Sequence, residues 1–168
     1  LHLIVAKYAD DAERKRIEYT FERWKDSMEI KKPEGITVIV KGEKVEDMLD
    51  DLYSRTSKDN VSVYDLGEVS FDVKERVRRI KIDLEGDLKT IEKLMEFVMA
   101  KGKAIFKREI PAGKLYEVYT KKGGAEIVSS LKDRDGNVTV DIKITGYGEA
   151  PDLLYDKINS ELKYFKEV

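Results

Sequence analysis

The apolar positions of this chain change their spacing along its length, and the changes mark out its elements. Leu3–Ala6 is a short apolar run that predicts a strand, after which Asp10 or Asp11 can cap a helix by accepting hydrogen bonds from its free amides. Ile17, Phe21, Trp24 and Met28 follow at offsets of four, three and four, one face of an amphipathic helix that Pro33 and Gly35 bring to an end. Ile36–Val40 is β-branched and apolar throughout and reads as an interior strand. Gly42 turns the chain into a second helix with Val45, Met48, Leu49 and Leu52 as its buried stripe. Val61 and Val63 begin a third strand, and Val69, Phe71 and Val73 alternate in a fourth.

From Lys74 the pattern changes. Ile80, Ile82 and Leu84 share one face of a strand, but the inward phase slips between Val77 and Ile80, which predicts a β-bulge or a strand boundary there. Asp87 is placed to cap a third helix with Ile91, Leu94, Met95, Val98 and Met99 inward, and Gly102 falls where a helix ending in a left-handed residue wants glycine. Four strands are expected next, over Lys103–Glu109, Leu115–Thr120, Ala125–Lys132 and Val138–Thr145. The last alternates cleanly, so one of its faces is wet. Pro151, tolerated in the first turn, opens a final helix that buries Leu154, Ile158, Leu162 and Phe165.

This order predicts an α+β protein: an antiparallel sheet with helices mainly on one face, its C-terminal half running β-α-β4-α. Such an arrangement resembles the TATA-binding-protein-like and helix-grip class, in which a curved sheet cradles a long helix. The shift in charge and pattern places a boundary near residue 72, with an N-terminal βαβαβ(β) subdomain over 1–72 and the C-terminal domain over 73–168. No flexible linker separates them, so one compact unit is the other possibility.

Composition narrows the chemistry. The chain has no cysteine, no glutamine and one histidine, His2, which removes thiol nucleophiles and zinc sites built from Cys or paired His. Charged residues make up 39% of it while Lys+Arg (32) and Asp+Glu (34) nearly cancel, which with the missing Gln and Cys fits a heat-adapted, archaeal, intracellular protein. The opening apolar run is too short for a signal peptide or a membrane span, so the expectation is cytoplasmic, without a membrane or a cofactor.

Charge is also unevenly placed. Residues 1–73 hold 12 basic and 17 acidic side chains, residues 74–122 hold 14 and 8, and residues 123–168 hold 6 and 9. The basic middle block contains three groups: Lys74, Arg76, Arg78, Arg79 and Lys81; Lys101, Lys103, Lys107 and Arg108; and Lys114, Lys121 and Lys122. Tyr116 and Tyr119 lie within it and point to opposite faces of a regular strand, so at most one can serve as a stacking platform beside the cations. The competing reading pairs these cations with neighbouring carboxylates in a thermophile's surface network.

Other motifs reduce to structure. Asp133–Asn137 superficially matches the start of a calcium loop, but its glycine comes too early and no bidentate Glu follows at the twelfth position. Asp135-Gly136 between alternating runs is instead a hairpin turn. The doublets Asp10-Asp11, Glu46-Asp47 and Asp50-Asp51 diverge by about 100° on a helix and cannot present two carboxylates to one magnesium ion. Lys121-Lys122-Gly123-Gly124 has its glycines after the lysines and a strand behind them, so it is not a phosphate-binding P-loop.

The runs Arg16–Phe21, Gly35–Gly42 and Val61–Tyr64 resemble those of an archaeal family of uncharacterised proteins, a likeness that implies archaeal origin and no particular activity. The leading expectation is a non-catalytic binding protein contacting RNA or another polyanion through a basic face built from Lys74, Arg76, Arg78, Arg79, Lys81, Lys101, Lys103, Lys107, Arg108, Lys121 and Lys122, with Tyr116 or Tyr119 stacking. The alternative is a small-molecule carrier with an apolar cavity between a curved sheet and the C-terminal helix. An enzyme using carboxylate, Lys or Tyr groups is the third, and no convergent set of them stands out in the sequence.

Overall fold

A computed structural model describes residues 1–167 as two compact units, 1–67 and 68 onward. The fold class is α+β: four α-helices and a five-stranded antiparallel sheet.

The first unit holds α1 (Asp11–Trp24), α2 (Val45–Tyr53) and a single 3₁₀ turn at Lys58–Asn60. Asp10 caps α1, accepting from the Glu13 amide at 2.8 Å, as its place before the apolar stripe predicts. The helix stops at Trp24, short of Met28 and Pro33. Neither α1 nor α2 buries a residue. The strands expected at Leu3–Ala6, Ile36–Val40, Val61–Val63 and Val69–Val73 are not formed; these runs lie among irregular backbone. A β-branched run becomes a strand only when a neighbour supplies the ladder, and no tight turn holds any of these four against another.

Every buried residue among those described lies at position 80 or beyond, so the core belongs to the second unit. Its elements are β1 (Arg76–Glu85), α3 (Leu88–Lys101), β2 (Ile105–Ile110), β3 (Gly113–Thr120), β4 (Gly123–Arg134), β5 (Asn137–Gly146) and α4 (Ala150–Glu167). This is the β-α-β4-α order read from the sequence. The sheet runs β1-β5-β4-β3-β2, with β1 and β2 at its edges.

One face of the sheet is apolar and covered by the helices. Ile142, Ile144, Val138 and Val140 of β5 are fully buried there, with Ile127 of β4 and Val118 of β3 beside them. α3 adds Ile91, Met95, Val98 and Met99, and α4, packed against β1 and β5, adds Leu154, Ile158 and Leu162. Burying each such aliphatic side chain contributes about 1.5–3 kcal/mol.

Three local details depart from the sequence reading. β1 pairs with β5 in unbroken register from Arg76 to Glu85, so no bulge separates Val77 from Ile80; Val77 faces the other side of the sheet. The irregularity lies instead in β2, between Phe106 and Arg108. At the end of α3, Gly102 keeps right-handed backbone and Lys103 takes the left-handed position at φ 59°. The Ala104 amide donates to the Met99 carbonyl at 3.0 Å and the Lys103 amide to Ala100 at 2.9 Å, a complete Schellman closure with lysine in the glycine slot. The β4–β5 hairpin turns as expected through Asp135 and Gly136, both at positive φ, the type I′ geometry that matches strand twist.

Candidate functional site

The antiparallel register sorts the basic residues by face, because residues directly opposite on neighbouring strands point to the same side. Arg78 pairs in turn with Ile144, Ile127, Tyr116 and Phe106, a row on the helix-covered face. Arg76 falls on the same face, opposite Gly146. Both arginines reach α4: Arg76 Nη1 lies 2.7 Å from Asp152 Oδ2 and Arg78 Nε 2.6 Å from Asp152 Oδ1. The two guanidiniums, Arg76 foremost, hold the Asp152 carboxyl below the usual carboxylate range.

Four other candidate cations are neutralised nearby. Lys101 pairs with Glu161 at 2.7 Å, Lys107 with Glu117 at 2.8 Å and Lys122 with Glu149 at 2.7 Å. Lys114 meets Glu92 at 2.7 Å and Glu96 at 3.3 Å, tying β3 to α3. Those hydrogen bonds raise the Lys114 and Lys107 ammonium groups above their ordinary values, and Lys114 lowers Glu92. The surface network weighed against the polyanion reading therefore accounts for Arg76, Arg78, Lys101, Lys107 and Lys122. Lys74, Lys103 and Lys121 are exposed at separate places: before β1, after α3 and in the β3–β4 turn.

The opposite face of the sheet is different. One row across all five strands reads Arg79, Lys143, Val128, Leu115 and Arg108. It contains no acid, and none of its three cations is in an ion pair with another described residue. Arg79, Lys143 and Arg108 are exposed while Val128 and Leu115 between them are half-buried. Lys81 lies one row over, opposite Asp141, and the row on the other side contains Glu126 and Glu117. The result is a cationic line with an apolar middle, bordered by carboxylates.

The two tyrosines separate as their spacing requires. Tyr116 is buried at 6% exposure on the helix side, and that burial raises its hydroxyl above the ordinary value. Tyr119 is 48% exposed on the open face, opposite Gly124, where a Cβ would lie 2.9 Å from the tyrosine ring. Its ring thus covers the glycine backbone, and its hydroxyl donates to Glu117 at 3.0 Å. Of the two tyrosines, Tyr119 is the exposed one.

Of the predicted residues, the open face brings together Arg79, Lys81, Arg108 and Tyr119, with Lys107 reaching Glu117 there. Sequence reasoning missed Lys143 because it sits in the net-acidic last block; the polar phase of β5, carried across the Asp135-Gly136 turn, was the signal that could have found it.

A cleft of about 420 Å³ lies elsewhere, between the second half of α3 and the β2–β3 hairpin, with Met99, Phe106 and Tyr116 among its walls. Under the C-terminal helix, where the cavity is expected, Leu154, Ile158 and Leu162 are exposed by 3% or less and belong to the core.

No group of three or more potential metal ligands occurs among the described residues, and no described helix is long and apolar enough to cross a membrane. The carboxyls of Asp11, Asp87, Glu92 and Asp152 are lowered and Arg14, Lys107, Lys114 and the Tyr116 hydroxyl are raised, which reinforces the ordinary charge state of these groups near neutral pH. Compared with family models and with curated proteins, the chain matches none.

Proposed function

We propose that this protein is a non-catalytic cytoplasmic binding domain that holds an extended polyanion, single-stranded RNA foremost, across the open face of its sheet. The observation that carries this reading is the placement of Arg79 directly opposite Lys143, both exposed and neither in an ion pair with another described residue. Like charges facing each other across a strand pair are destabilising, and where Glu117 meets Glu126 on the same face Lys107 offsets the repulsion, whereas no described acid does so for Arg79 and Lys143. A phosphate between them turns that cost into binding energy.

The row supports a geometry as well. Four inter-strand steps at about 4.8 Å give a track of ~19 Å from Arg79 to Arg108. Arg79, Lys143 and Arg108 meet backbone phosphates and Val128 and Leu115 offer an apolar surface to the bases, while Tyr119 stands beyond the Glu117–Glu126 row. The bordering carboxylates confine the strand to this line.

Fluorescence polarisation with a labelled oligouridylate over a salt series tests the proposal. Three phosphate contacts give a slope of log K against log salt of about −2, and Arg79→Glu with Lys143→Glu abolishes binding at low salt. Lys101→Ala and Lys122→Ala, whose ammonium groups are already paired, leave affinity unchanged. No binding at low salt, or an affinity indifferent to salt, overturns the reading.

A further inference from the structure

The cleft at α3 lies on the helix-covered side of the sheet, away from the cationic row, and its chemistry has the opposite sign. Its walls are apolar and partly aromatic: Met99 and Ala100 from α3, Ala104 from the loop that follows, and Phe106 and Tyr116 from the hairpin. Phe106 and Tyr116 stand opposite each other on β2 and β3 with ring centroids 5.7 Å apart at 72°, two adjacent sides of an open aromatic corner. Such π-faces attract an organic cation from which water has been partly stripped.

The charged lining acts in the same sense. Glu96 and Glu109 line the cleft with Lys114, and Lys114 is already shared between Glu96 and Glu92. Glu109 is in no ion pair with any described residue. Three carboxylates against one ammonium leave the surroundings of the cleft at net −2. An anion would meet Glu109 and Glu96; a neutral apolar molecule would gain nothing from these two exposed carboxylates; an ammonium ion is attracted to both.

We infer that the cleft between α3 and the β2–β3 hairpin is a binding site for a small organic ammonium ion, a primary or methylated amine on a compact apolar body. The apolar part lies against Met99, Ala100 and Ala104, the charged nitrogen approaches Glu109 and Glu96, and the Phe106–Tyr116 corner contacts the carbons next to it. A volume of about 420 Å³ suits a molecule of roughly drug-fragment to drug size.

The test titrates the full chain with three matched probes, phenethylammonium, 2-phenylethanol and phenylacetate, and follows the amide and methyl resonances of Ala100, Ala104 and Met99. Phenethylammonium is expected to shift them with a Kd of ~1 mM, 2-phenylethanol to bind about tenfold more weakly and phenylacetate not at all at ~10 mM. Glu109→Gln is expected to weaken the amine about fivefold and leave the alcohol unchanged, which a general loss of fold would not do. Phe106→Ala, at a half-exposed position outside the core, weakens both. Absence of any shift at ~10 mM amine, equal affinity for the three probes, or a preference for phenylacetate overturns the assignment. Oligouridylate binding is read on a different face, so either result stands without the other.

Discussion

Arg79 and Lys143 face each other across the β1–β5 ladder with no carboxylate of a described residue in ion-pair range of either. Replacing one of them therefore relieves a repulsion. Arg79→Thr, which keeps β propensity, is expected to stabilise the protein by ~0.2–1 kcal/mol while weakening oligouridylate binding. Thermal denaturation and polarisation on the same variant check it. A fall in Tm on that substitution would mean that Arg79 serves stability, contrary to the proposal.

Asp152 predicts a pH dependence with a definite sign. Its folded-state pKa is depressed by Arg76 and Arg78, so its contribution is present above the unfolded carboxyl value near 4 and is lost as pH falls through the lower folded value. Asp152→Asn is expected to lower Tm by a few degrees, about 5 °C at most, at pH 7. The gap from the parent protein narrows as the pH falls below the unfolded carboxyl value. Denaturation scans at stepped pH measure it, and a gap constant across that range would contradict the linkage.

Lys103 occupies a left-handed position at φ 59° that glycine adopts without penalty. Lys103→Gly is expected to stabilise the protein by up to ~1 kcal/mol, because the Schellman hydrogen bonds are already made and relief of the left-handed strain outweighs the entropy that glycine adds to the unfolded chain. Urea denaturation should show a raised midpoint with an unchanged m-value.

Leu154, 1% exposed, anchors α4 on the sheet. Leu154→Ala removes three buried carbons and leaves a cavity, with an expected cost of about 3 kcal/mol by urea denaturation. A cost under ~1 kcal/mol would mean that the helix is held by its ion pairs instead.

Since no residue before position 80 is buried, the fragment 68–168 contains the whole described core. It is expected to unfold in one cooperative thermal transition when produced alone. A fragment without such a transition would show that residues 1–67 supply part of what stabilises it.

The second unit was readable because each of its signals agreed with the next. Asp87 marks a helix start, Asp135-Gly136 a hairpin, and Val138 to Ile144 alternate against polar neighbours, so period and turn chemistry name the same elements. The first unit misled because Leu3–Ala6 and Ile36–Val40 have the composition of strands without a local partner, and pairing is a long-range property. The phase slip at Val77 misled for a subtler reason: an apolar residue on the open face of an edge strand looks in sequence like a displaced core residue. The cationic row was half visible. Arg79 and Arg108 stood in a basic block, but lining them up with Lys143 needs the register of four strand pairs, including the irregularity in β2. Which cations are neutralised depends on Asp152, Glu161 and Glu149, remote in sequence from the lysines and arginines they meet.

An edge strand offers unpaired amides and carbonyls to any passing chain, and β1 is such an edge. Its four cations within six residues, Arg76, Arg78, Arg79 and Lys81, alternate over both sides, so a second strand adding there would have to accommodate positive charge above and below at once. At the other border β2 is broken by its irregularity beside Lys107 and Arg108. Both margins thus resist end-to-end growth into fibrils, and a protein this rich in β-branched side chains keeps its sheet at five strands.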